Sequence, residues 1–389
     1  MLSEATLRNI TKINLKKFLK SYEVKDIEKN TQTKNRNDYS PYVRIIQSEF
    51  NNPKSRLTPE IFDQYLFNEL FYANNNYHQI YEYDSLFSKT KLSVLDAHEH
   101  LSKHPSFLYN GLLNKQLATT DYELCSTRLE HIDGVMNNLH LLIKVTTITS
   151  RRGNINFFVG ITFDLVNKYL IVKFNLNTLE KSRIEKKVII TRIKALLDRL
   201  PFNHRFISLN ETAAKKTIFQ LFKELSLDAE GLLESKVPSG TDEKIVKFLT
   251  EMKVKKVAKD YVQQIKAVVY QDLSKTFKNS FFEKGWVFRF VFKEGDFTRA
   301  SSRTDDFNPI YGSKVYWHLK ELIFKEQEMQ EAGFHWYTTN AKDSYVLVKL
   351  EAREDTMIIQ YYYGMTRDGR EKEAYVLRKI KQYLPKYRL

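Results

Sequence analysis

Three runs of β-branched and aromatic residues, joined by short polar turns, constrain this chain more than any other feature. They are LHLLIKVTTI (139–148), NINFFVGITF (154–163) and KYLIVKF (168–174). Runs of this length and composition, bounded by Ser, Arg, Gly, Asn and Asp, are typical of β-strands. They predict an antiparallel meander. The helical pattern at 185–200, which ends before Pro201, predicts a helix laid across one face of it.

The C-terminal part of the chain shows the same combination of strands and helices. Strands are predicted over 285–292, 335–339, 345–352 and 356–363, where β-branched and aromatic residues dominate. A long helix is predicted after Pro309–Gly312, ending at Gly333, and a basic helix at 370–384. The polar and basic residues 298–306 are predicted to form a loop that exposes Arg299 and Arg303.

The first 130 residues are predicted to be mostly helical. Thr58-Pro59-Glu60 has the properties of a helix start, because Thr caps well, Pro suits the first helical position and an acid suits the positive end of the helix dipole. The expected fold class is therefore α+β. We predict a helical N-terminal region (1–130), an α+β domain with the three-strand meander (131–235), a basic helical connector (236–280) and a C-terminal α+β domain (281–389).

The connector carries the densest basic charge in the chain. Five apolar residues recur there at helical spacing and predict an apolar stripe: Val257, Tyr261, Ile265, Val268 and Val269. Three lysines fall on roughly the opposite face: Lys255, Lys259 and Lys266. A short helix at 242–249, a turn at 250–254 and this longer helix fit a helix-turn-helix, whose second helix enters the major groove. The alternative is a linking helix with a solvated charged face.

Composition bears on the partner and the compartment. The chain has 62 Lys and Arg against 47 Asp and Glu, a formal net charge of +15, which favours polyanions as partners. Cys125 is the only cysteine, so neither a disulfide nor a cysteine-based zinc site can form within one chain, and the reducing cytoplasm is expected. The N-terminus lacks the apolar core of a signal peptide, and no apolar run is long enough to predict a membrane span.

The first functional hypothesis is a nucleic-acid-binding protein that contacts the phosphates of DNA or RNA, largely without regard to sequence. The candidate contacts lie at a hairpin tip, in the connector, in the predicted 298–306 loop and in the final helix: Arg151, Arg152, Lys244, Lys247, Lys255, Lys256, Lys259, Lys266, Arg299, Arg303, Lys379 and Lys381. In composition the chain also resembles accessory proteins of bacterial mobile elements and phage defence, without a residue motif that carries the resemblance.

Motifs that would indicate catalysis are scarce. The sequence contains no Gly-rich phosphate loop, Gly-x-Ser-x-Gly elbow, His-Glu-x-x-His or dinucleotide-binding fingerprint, and no cofactor is expected. The second hypothesis, a metal-dependent nuclease, depends on Asp343, Glu351 and Arg353, where Arg stands in the place of the usual Lys, and on the histidine cluster His98, His100 and His104.

Two further features leave other interpretations open. On a helix His100 and His104 would share one face, and we interpret this His-rich stretch as an exposed polar face rather than a metal site. A third hypothesis is a subunit of a protein assembly or a homo-oligomer, in which exposed aromatic residues form the interface.

Overall fold

The fold is α+β, as predicted. The computed structural model describes residues 2–33, 35, 37–87, 92–105, 107, 111–113, 121–151, 153–202, 206–254, 259–294, 298–362 and 368–384. These residues form thirteen α-helices and eleven β-strands. The chain divides into two compact units, an N-terminal unit (Met1–Ser208, Met365–Arg370 and Lys386–Leu389) and a C-terminal unit (Leu209–Gly364 and Glu371–Pro385). No described helix has the length and hydropathy needed to cross a bilayer.

The N-terminal unit begins with five short helices and continues with an antiparallel sheet. The helices that precede the sheet are α1 (Glu4–Leu7), α2 (Lys12–Ser21), α3 (Ile27–Asn30), α4 (Ser40–Phe50) and α5 (Pro59–Asn68). The strands are β1 (Tyr77–Tyr83), β2 (Glu123–Ile132), β3 (Val135–Ser150), β4 (Gly153–Asp164), β5 (Tyr169–Phe174) and β6 (Phe206–Ile207). Three further helices are α6 (Val94–Ser102), α7 (Leu176–Ser182) and α8 (Lys186–Leu197). The strand order is β2-β3-β4-β5-β1, with β6 beside β1.

The helical region packs its apolar side chains on the sheet. The Thr58 hydroxyl accepts a hydrogen bond from the Ile61 amide, with 3.3 Å between oxygen and nitrogen, so α5 is capped as predicted. At its other end α5 continues as a π-helical turn, Glu69–Ala73. Buried side chains of these helices form one core with Leu142 and Phe158 of the sheet. Burial of each large apolar side chain stabilises the unit by about 1.5–3 kcal/mol.

The predicted meander is confirmed as β3, β4 and β5, but the sheet has more strands than the sequence indicated. The aromatic residues at 77–83 form β1, and β2 crosses position 130, where we predicted a boundary between a helical region and the first α+β domain. β2 lies at one end of the strand order, and more than half of its side chains are polar or charged. An edge strand tolerates such residues, and for that reason its composition does not resemble that of a buried strand.

The C-terminal unit contains five strands and five helices. The strands are β7 (Gly285–Glu294), β8 (Thr298–Arg303), β9 (Glu331–Tyr337), β10 (Tyr345–Arg353) and β11 (Thr356–Tyr361), in the order β8-β7-β9-β10-β11. The helices are α9 (Glu211–Glu234), α10 (Thr241–Glu251), α11 (Lys259–Thr276), α12 (Lys314–Glu326) and α13 (Gly369–Tyr383), most of which belongs to this unit. Helices α10 and α11, which we predicted to be a connector, lie within the unit.

Helix α9 covers one face of this sheet. Asn210 caps it by accepting a hydrogen bond from the Ala213 amide, and the helix continues to Glu234. The ring of Phe222 in α9 lies 5.9 Å from the ring of Phe290 in β7, measured between centroids. Phe290 therefore points to the α9 side, and its neighbours Arg289 and Val291 point to the opposite side, which we call the outer face.

The buried side of α11 is the reverse of the predicted one. Of the predicted apolar stripe, Tyr261, Val268 and Val269 are exposed, and Val268 retains 65% of its accessible surface. Ile265 is half-buried, and Val257 lies outside the described residues. The buried positions recur four residues apart along the other side of the helix: Val262, Lys266, Tyr270 and Ser274. Lys266 lies in the middle of this buried side. The predicted helix-turn-helix, which needs its lysines on the exposed side, is therefore not supported by the orientation of the helix.

Two further expectations about the C-terminal unit were wrong. The stretch predicted to be a loop at 298–306 begins with β8, a strand without β-branched apolar residues that pairs only with β7 among the described strands. The predicted long helix ends at Glu326, where Gln327 takes the left-handed conformation with φ 55°, rather than at Gly333. Gly333 lies within β9 instead.

Candidate nucleic-acid interface

The predicted phosphate contacts lie on separate elements of the structure. Arg151 is exposed in the turn between β3 and β4 of the N-terminal unit, and Lys244 and Lys247 are exposed on α10 of the C-terminal unit. Arg152, Lys255 and Lys256 lie outside the described residues, and so does the side chain of Lys259. The remaining predicted contacts belong to α11, β8 and α13. Their burial and ion pairs determine which of them can bind an anion.

Lys266 is not available to a phosphate. Its side chain is 5% exposed, and its Nζ lies 2.9 Å from a carboxylate oxygen of Glu234 and 2.9 Å from one of Asp242. Burial alone would lower the pKa of Lys266, but the hydrogen bonds to the two carboxylates and Tyr270 outweigh it and raise the pKa. Lys266 therefore connects α11 to α9 and α10 as an internal ion pair.

Lys379 is also engaged within the protein. Its Nζ donates to a Glu224 carboxylate oxygen at 2.9 Å, and the same carboxylate accepts the Tyr383 hydroxyl at 2.9 Å. Although burial opposes it, this hydrogen bonding holds the pKa of Glu224 below its usual value. Lys381 is partly buried near the end of the same helix. The two predicted phosphate contacts of α13, Lys379 and Lys381, are therefore packed against the rest of the protein.

Arg299 and Arg303 remain exposed, and the strand pairing brings them beside other cations. β8 pairs with β7 so that Arg299 lies opposite Lys293 and Arg303 lies opposite Arg289, with Ser301 opposite Val291 between them. Residues directly opposite each other in an antiparallel pair point to the same face. Four positive charges therefore share the outer face of one hairpin, which we call the basic hairpin: Arg289, Lys293, Arg299 and Arg303.

Only one of these four cations has a partner of opposite charge among the described side chains. Arg289 forms an ion pair with the buried carboxylate of Glu331. Lys293, Arg299 and Arg303 are exposed and form no ion pair with a described carboxylate. Like charges placed directly opposite in a sheet are destabilising by up to about 1 kcal/mol per pair. The basic hairpin thus contains one pair, Lys293 and Arg299, in which neither charge has a carboxylate partner among the described side chains, and an anion would relieve its repulsion.

A glycine and a bulge set the direction of Arg289. The ladder between β7 and β9 shifts register between Val287 and Arg289, which inserts Phe288 as an extra residue. Arg289 then lies opposite Gly333, and a Cβ at position 333 would be 2.5 Å from the Arg289 Cγ and 2.5 Å from the Phe288 ring. Because glycine leaves this space open, the Arg289 side chain passes over Gly333 and reaches Glu331 on the same strand.

The ion pairs continue from Arg289 across the outer face. Lys349 of β10 lies 3.3 Å from Glu331 and 3.1 Å from Glu351, measured from Nζ to the carboxylate oxygens, and Arg353 lies 2.5 Å from Glu351. Signs alternate along this row from Arg353 to Arg289, so each charge has a partner. The alternation of signs stops at the basic hairpin, where the residue next to Arg289 on the neighbouring strand is another arginine, Arg303.

The same row tests the arrangement needed for a metal-dependent nuclease. Glu351 is held between Lys349 and Arg353, whereas Asp343 accepts a hydrogen bond from the Thr339 hydroxyl at 2.5 Å before β10 begins. The strand from Tyr345 to Glu351 already spans about 20 Å, at about 3.3 Å per residue. Asp343 and Glu351 therefore do not converge on one cation. Within the described ranges no three His, Cys, Asp or Glu side chains are grouped to hold a metal.

The histidines of α6 lie apart from any such group. His98 and His100 are exposed on α6, which is helical as predicted. The His100 Nε2 lies 3.2 Å from the Pro201 carbonyl oxygen, and the His104 ring packs at 5.8 Å from Phe107, measured between centroids. The His100 contact ties α6 to the segment at Pro201, whereas His104 lies beyond the end of α6.

A buried histidine lies in an aromatic stack on the outer face. The His335 ring is stacked 3.8 Å from the Trp286 ring and 4.9 Å from the Tyr345 ring, measured between centroids. Only 8% of His335 is exposed, and burial lowers its pKa to about 4. The imidazole is therefore neutral in the folded protein at pH 7, and the stack adds no charge beside the ion-pair row.

We expect this histidine to make the C-terminal unit sensitive to acid. The His335 imidazole takes up a proton only near pH 4 in the folded state, whereas in the unfolded chain it does so near pH 6.5. The free energy of unfolding therefore has its full value above pH 6.5 and decreases as the pH drops toward 4. The loss should approach about 3 kcal/mol at about 1.4 kcal/mol per pKa unit. The three tryptophans of the chain, Trp286, Trp317 and Trp336, lie in this unit and report its denaturant unfolding.

His335→Phe keeps an aromatic ring in the stack and serves as the reference for that measurement. Its stability should change less than that of the native chain between pH 7 and pH 4.5. An equal loss in both proteins would show that other groups cause the acid sensitivity.

Sequence patterns indicated two of the four cations of the basic hairpin. Arg299 and Arg303 were predicted as exposed phosphate contacts, but on a loop, and Arg289 and Lys293 were not singled out. Period-two alternation of Arg299, Ser301 and Arg303 was a readable signal for a strand with one basic face. Comparison of the chain with protein-family models, curated proteins and solved structures finds no significant match.

Proposed function

We propose that the protein binds nucleic acid through the basic hairpin, by contacts to phosphates that are largely independent of base sequence. The observation that supports this is the placement of like charges on one face without a carboxylate partner among the described side chains: Lys293 directly opposite Arg299, and Arg303 further along β8. Such pairs cost stability in the free protein, and a chain of phosphates lying along the strands offsets that cost. The surplus charge of +15 adds long-range attraction to the same ligand.

The geometry of the hairpin suits an extended polyanion. Alternate residues of a strand are about 7 Å apart, so Arg299, Ser301 and Arg303 form a line of two cations and a hydroxyl about 13 Å long. Arginine binds phosphate with two parallel hydrogen bonds, and serine donates one more.

The test is a triple variant, Lys293→Gln, Arg299→Gln and Arg303→Gln, assayed by fluorescence anisotropy with a random-sequence duplex and a random single strand. Removal of one cation that neutralises a phosphate should flatten the slope of log K against log salt by about 0.7–0.9. Removal of three should therefore flatten it by about 2–3 and weaken binding at least about tenfold near 100 mM salt.

A matched variant controls for net charge. Lys216→Gln, Lys253→Gln and Lys325→Gln removes the same number of exposed positive charges from the same unit, at positions that were not candidate contacts. It should change affinity by less than about threefold, because its lysines act only through the long-range field. If both variants lost affinity equally, binding would depend only on the net charge of the protein and not on the basic hairpin. If the native chain did not bind nucleic acid at low salt, the proposal would be wrong.

A further inference from the structure

Helix α11 carries apolar side chains on two opposite sides, although only one side packs within the C-terminal unit. The other side, which we call the outer stripe of α11, consists of residues three or four positions apart: Tyr261, Ile265, Val268, Val269 and Asp272. Tyr261, Val268 and Val269 are 43%, 65% and 42% exposed. A helix that is apolar on all sides is normally covered on all sides. The outer stripe therefore indicates a surface that a second molecule covers.

The centre of the outer stripe carries no charge. Charged residues make up 28% of the chain, yet Lys266 is the only one between Tyr261 and Gln271, and its side chain is buried. The exposed neighbours Gln263 and Gln264 are uncharged as well. Depletion of charge together with aromatic and aliphatic side chains is typical of the centre of a protein interface.

The spacing of the outer stripe fits a second helix of the same sequence in antiparallel orientation. Intervals of four, three and four residues, as between a and d positions of a coiled coil, separate four of its members: Tyr261, Ile265, Val268 and Asp272. This order of intervals is the same in both directions along the helix. An antiparallel copy therefore places Ile265 opposite Val268 of the second copy, so that apolar side chains meet across the two-fold axis.

Asp272 decides between the two orientations of such a pair. It is exposed and forms no ion pair with a described side chain. In a parallel pair Asp272 would lie beside Asp272 of the second copy, and the two like charges would repel each other. In an antiparallel pair its carboxylate instead accepts a hydrogen bond from the Tyr261 hydroxyl of the second copy. A polar residue at one a position specifies the register of a coiled coil.

We propose that α11 pairs antiparallel with α11 of a second copy of this chain along the outer stripe, so that the protein is a dimer. The seam from Tyr261 to Asp272 is about 17 Å long at about 1.5 Å per residue. Because such a seam is short, we expect a dissociation constant in the micromolar range. The dimer would bury most of the residues whose helical spacing predicts an apolar stripe. The proposal is independent of phosphate binding at the basic hairpin.

The first test is the mass of the protein in solution, measured by size-exclusion chromatography with light scattering. Nuclease treatment and about 500 mM salt exclude association through a shared nucleic acid. The native chain should be a dimer at about 100 µM and a monomer well below about 1 µM. Val268→Asp should weaken the dimer at least about tenfold, because it places a carboxylate in the apolar seam. Ile13→Asp, on α2 and 66% exposed, is the matched control and should leave the dimer unchanged.

Cross-linking tests the orientation of the two helices. The single native cysteine, Cys125, is buried. Ile265→Cys combined with Val268→Cys should join two copies under mild oxidation, because the antiparallel pair places these positions opposite each other. Asp272→Cys alone should not, because its copy would lie about 17 Å away along the seam, beyond the limit of about 7 Å between the Cα atoms of a disulfide.

Three results would each overturn the proposal. A native chain that stays monomeric at about 100 µM would show that the outer stripe is not covered by a second copy. A dimer that Val268→Asp does not weaken would have its interface elsewhere. Efficient cross-linking of Asp272→Cys would show a parallel pair. Native tryptophan emission of Val268→Asp confirms that this variant is folded when its mass is compared.

Discussion

Gly285→Ala is expected to destabilise the C-terminal unit by about 2–6 kcal/mol, the sum of about 1–3 for backbone strain and about 1–3 for overlap. Gly285 opens β7 with φ +115°, a conformation that side-chain-bearing residues rarely adopt. A Cβ built there would be 1.9 Å from the carbonyl oxygen of His335 on β9, and that atom belongs to the backbone and cannot turn aside. Tryptophan fluorescence during denaturant unfolding measures the loss.

The same unit contains a matched control for this substitution. Gly231 lies inside α9, and a Cβ added there meets nothing within 4 Å. Gly231→Ala should therefore stabilise the unit by about 0.5–1 kcal/mol, because alanine favours the helix over glycine. If both variants differed from the native chain by less than about 1 kcal/mol, the close approach of β7 to β9 would be refuted.

The second large effect is expected at a buried ion pair of the N-terminal unit. The Arg128 guanidinium nitrogen lies 2.9 Å from an Asp63 carboxylate oxygen, and the two side chains are 16% and 1% exposed. Burial raises the pKa of Asp63 despite the neighbouring arginine, which shows that desolvation dominates at this site. Arg128→Met should leave the carboxylate buried without its cation and cost about 3–5 kcal/mol.

Three comparisons make this prediction specific. Arg56→Ala, which breaks an ion pair with Glu23 whose side chains are 71% and 65% exposed, should cost less than about 1 kcal/mol. Arg128→Met combined with Asp63→Leu should recover much of the loss, because no unpaired charge remains buried. Acidification should shrink the cost of Arg128→Met as Asp63 takes up a proton. Calorimetry and hydrogen exchange of peptides from α5 and β2 measure these changes in stability. If the double variant lost as much stability as the two single variants together, the prediction would be contradicted.

Local patterns were enough for the elements whose composition matches their environment. Runs of Val, Ile and Phe predicted β3, β4 and β5, and Thr58 with Pro59 predicted the start of α5. Asp133 and Gly134, both with positive φ in the turn between β2 and β3, formed a readable Asp-Gly hairpin signal that would have revealed β2. The fold class followed from these patterns without knowledge of any tertiary contact.

The structural features that we did not predict depend on contacts between residues that are distant in the sequence. Lys266 became the centre of the buried side of α11 because Glu234 and Asp242 pair with it, and helical spacing alone does not show those acids. The like-charge pairs of the basic hairpin depend on the register of β7 and β8, which composition does not specify. Of the candidate contacts, Arg299 and Arg303 stay exposed, while Lys266 and Lys379 pair with carboxylates of other helices.

β8 is the last strand in the order of its sheet, and this position has a consequence for the choice of its side chains. The outer backbone N–H and C=O groups of a terminal strand can template a strand from a second molecule, and charged side chains prevent such aggregation. Charge of either sign gives that protection, and alternating signs would give it without repulsion inside the hairpin. Protection of the edge therefore does not explain why Lys293, Arg299 and Arg303 are all positive, whereas an anionic ligand would explain it.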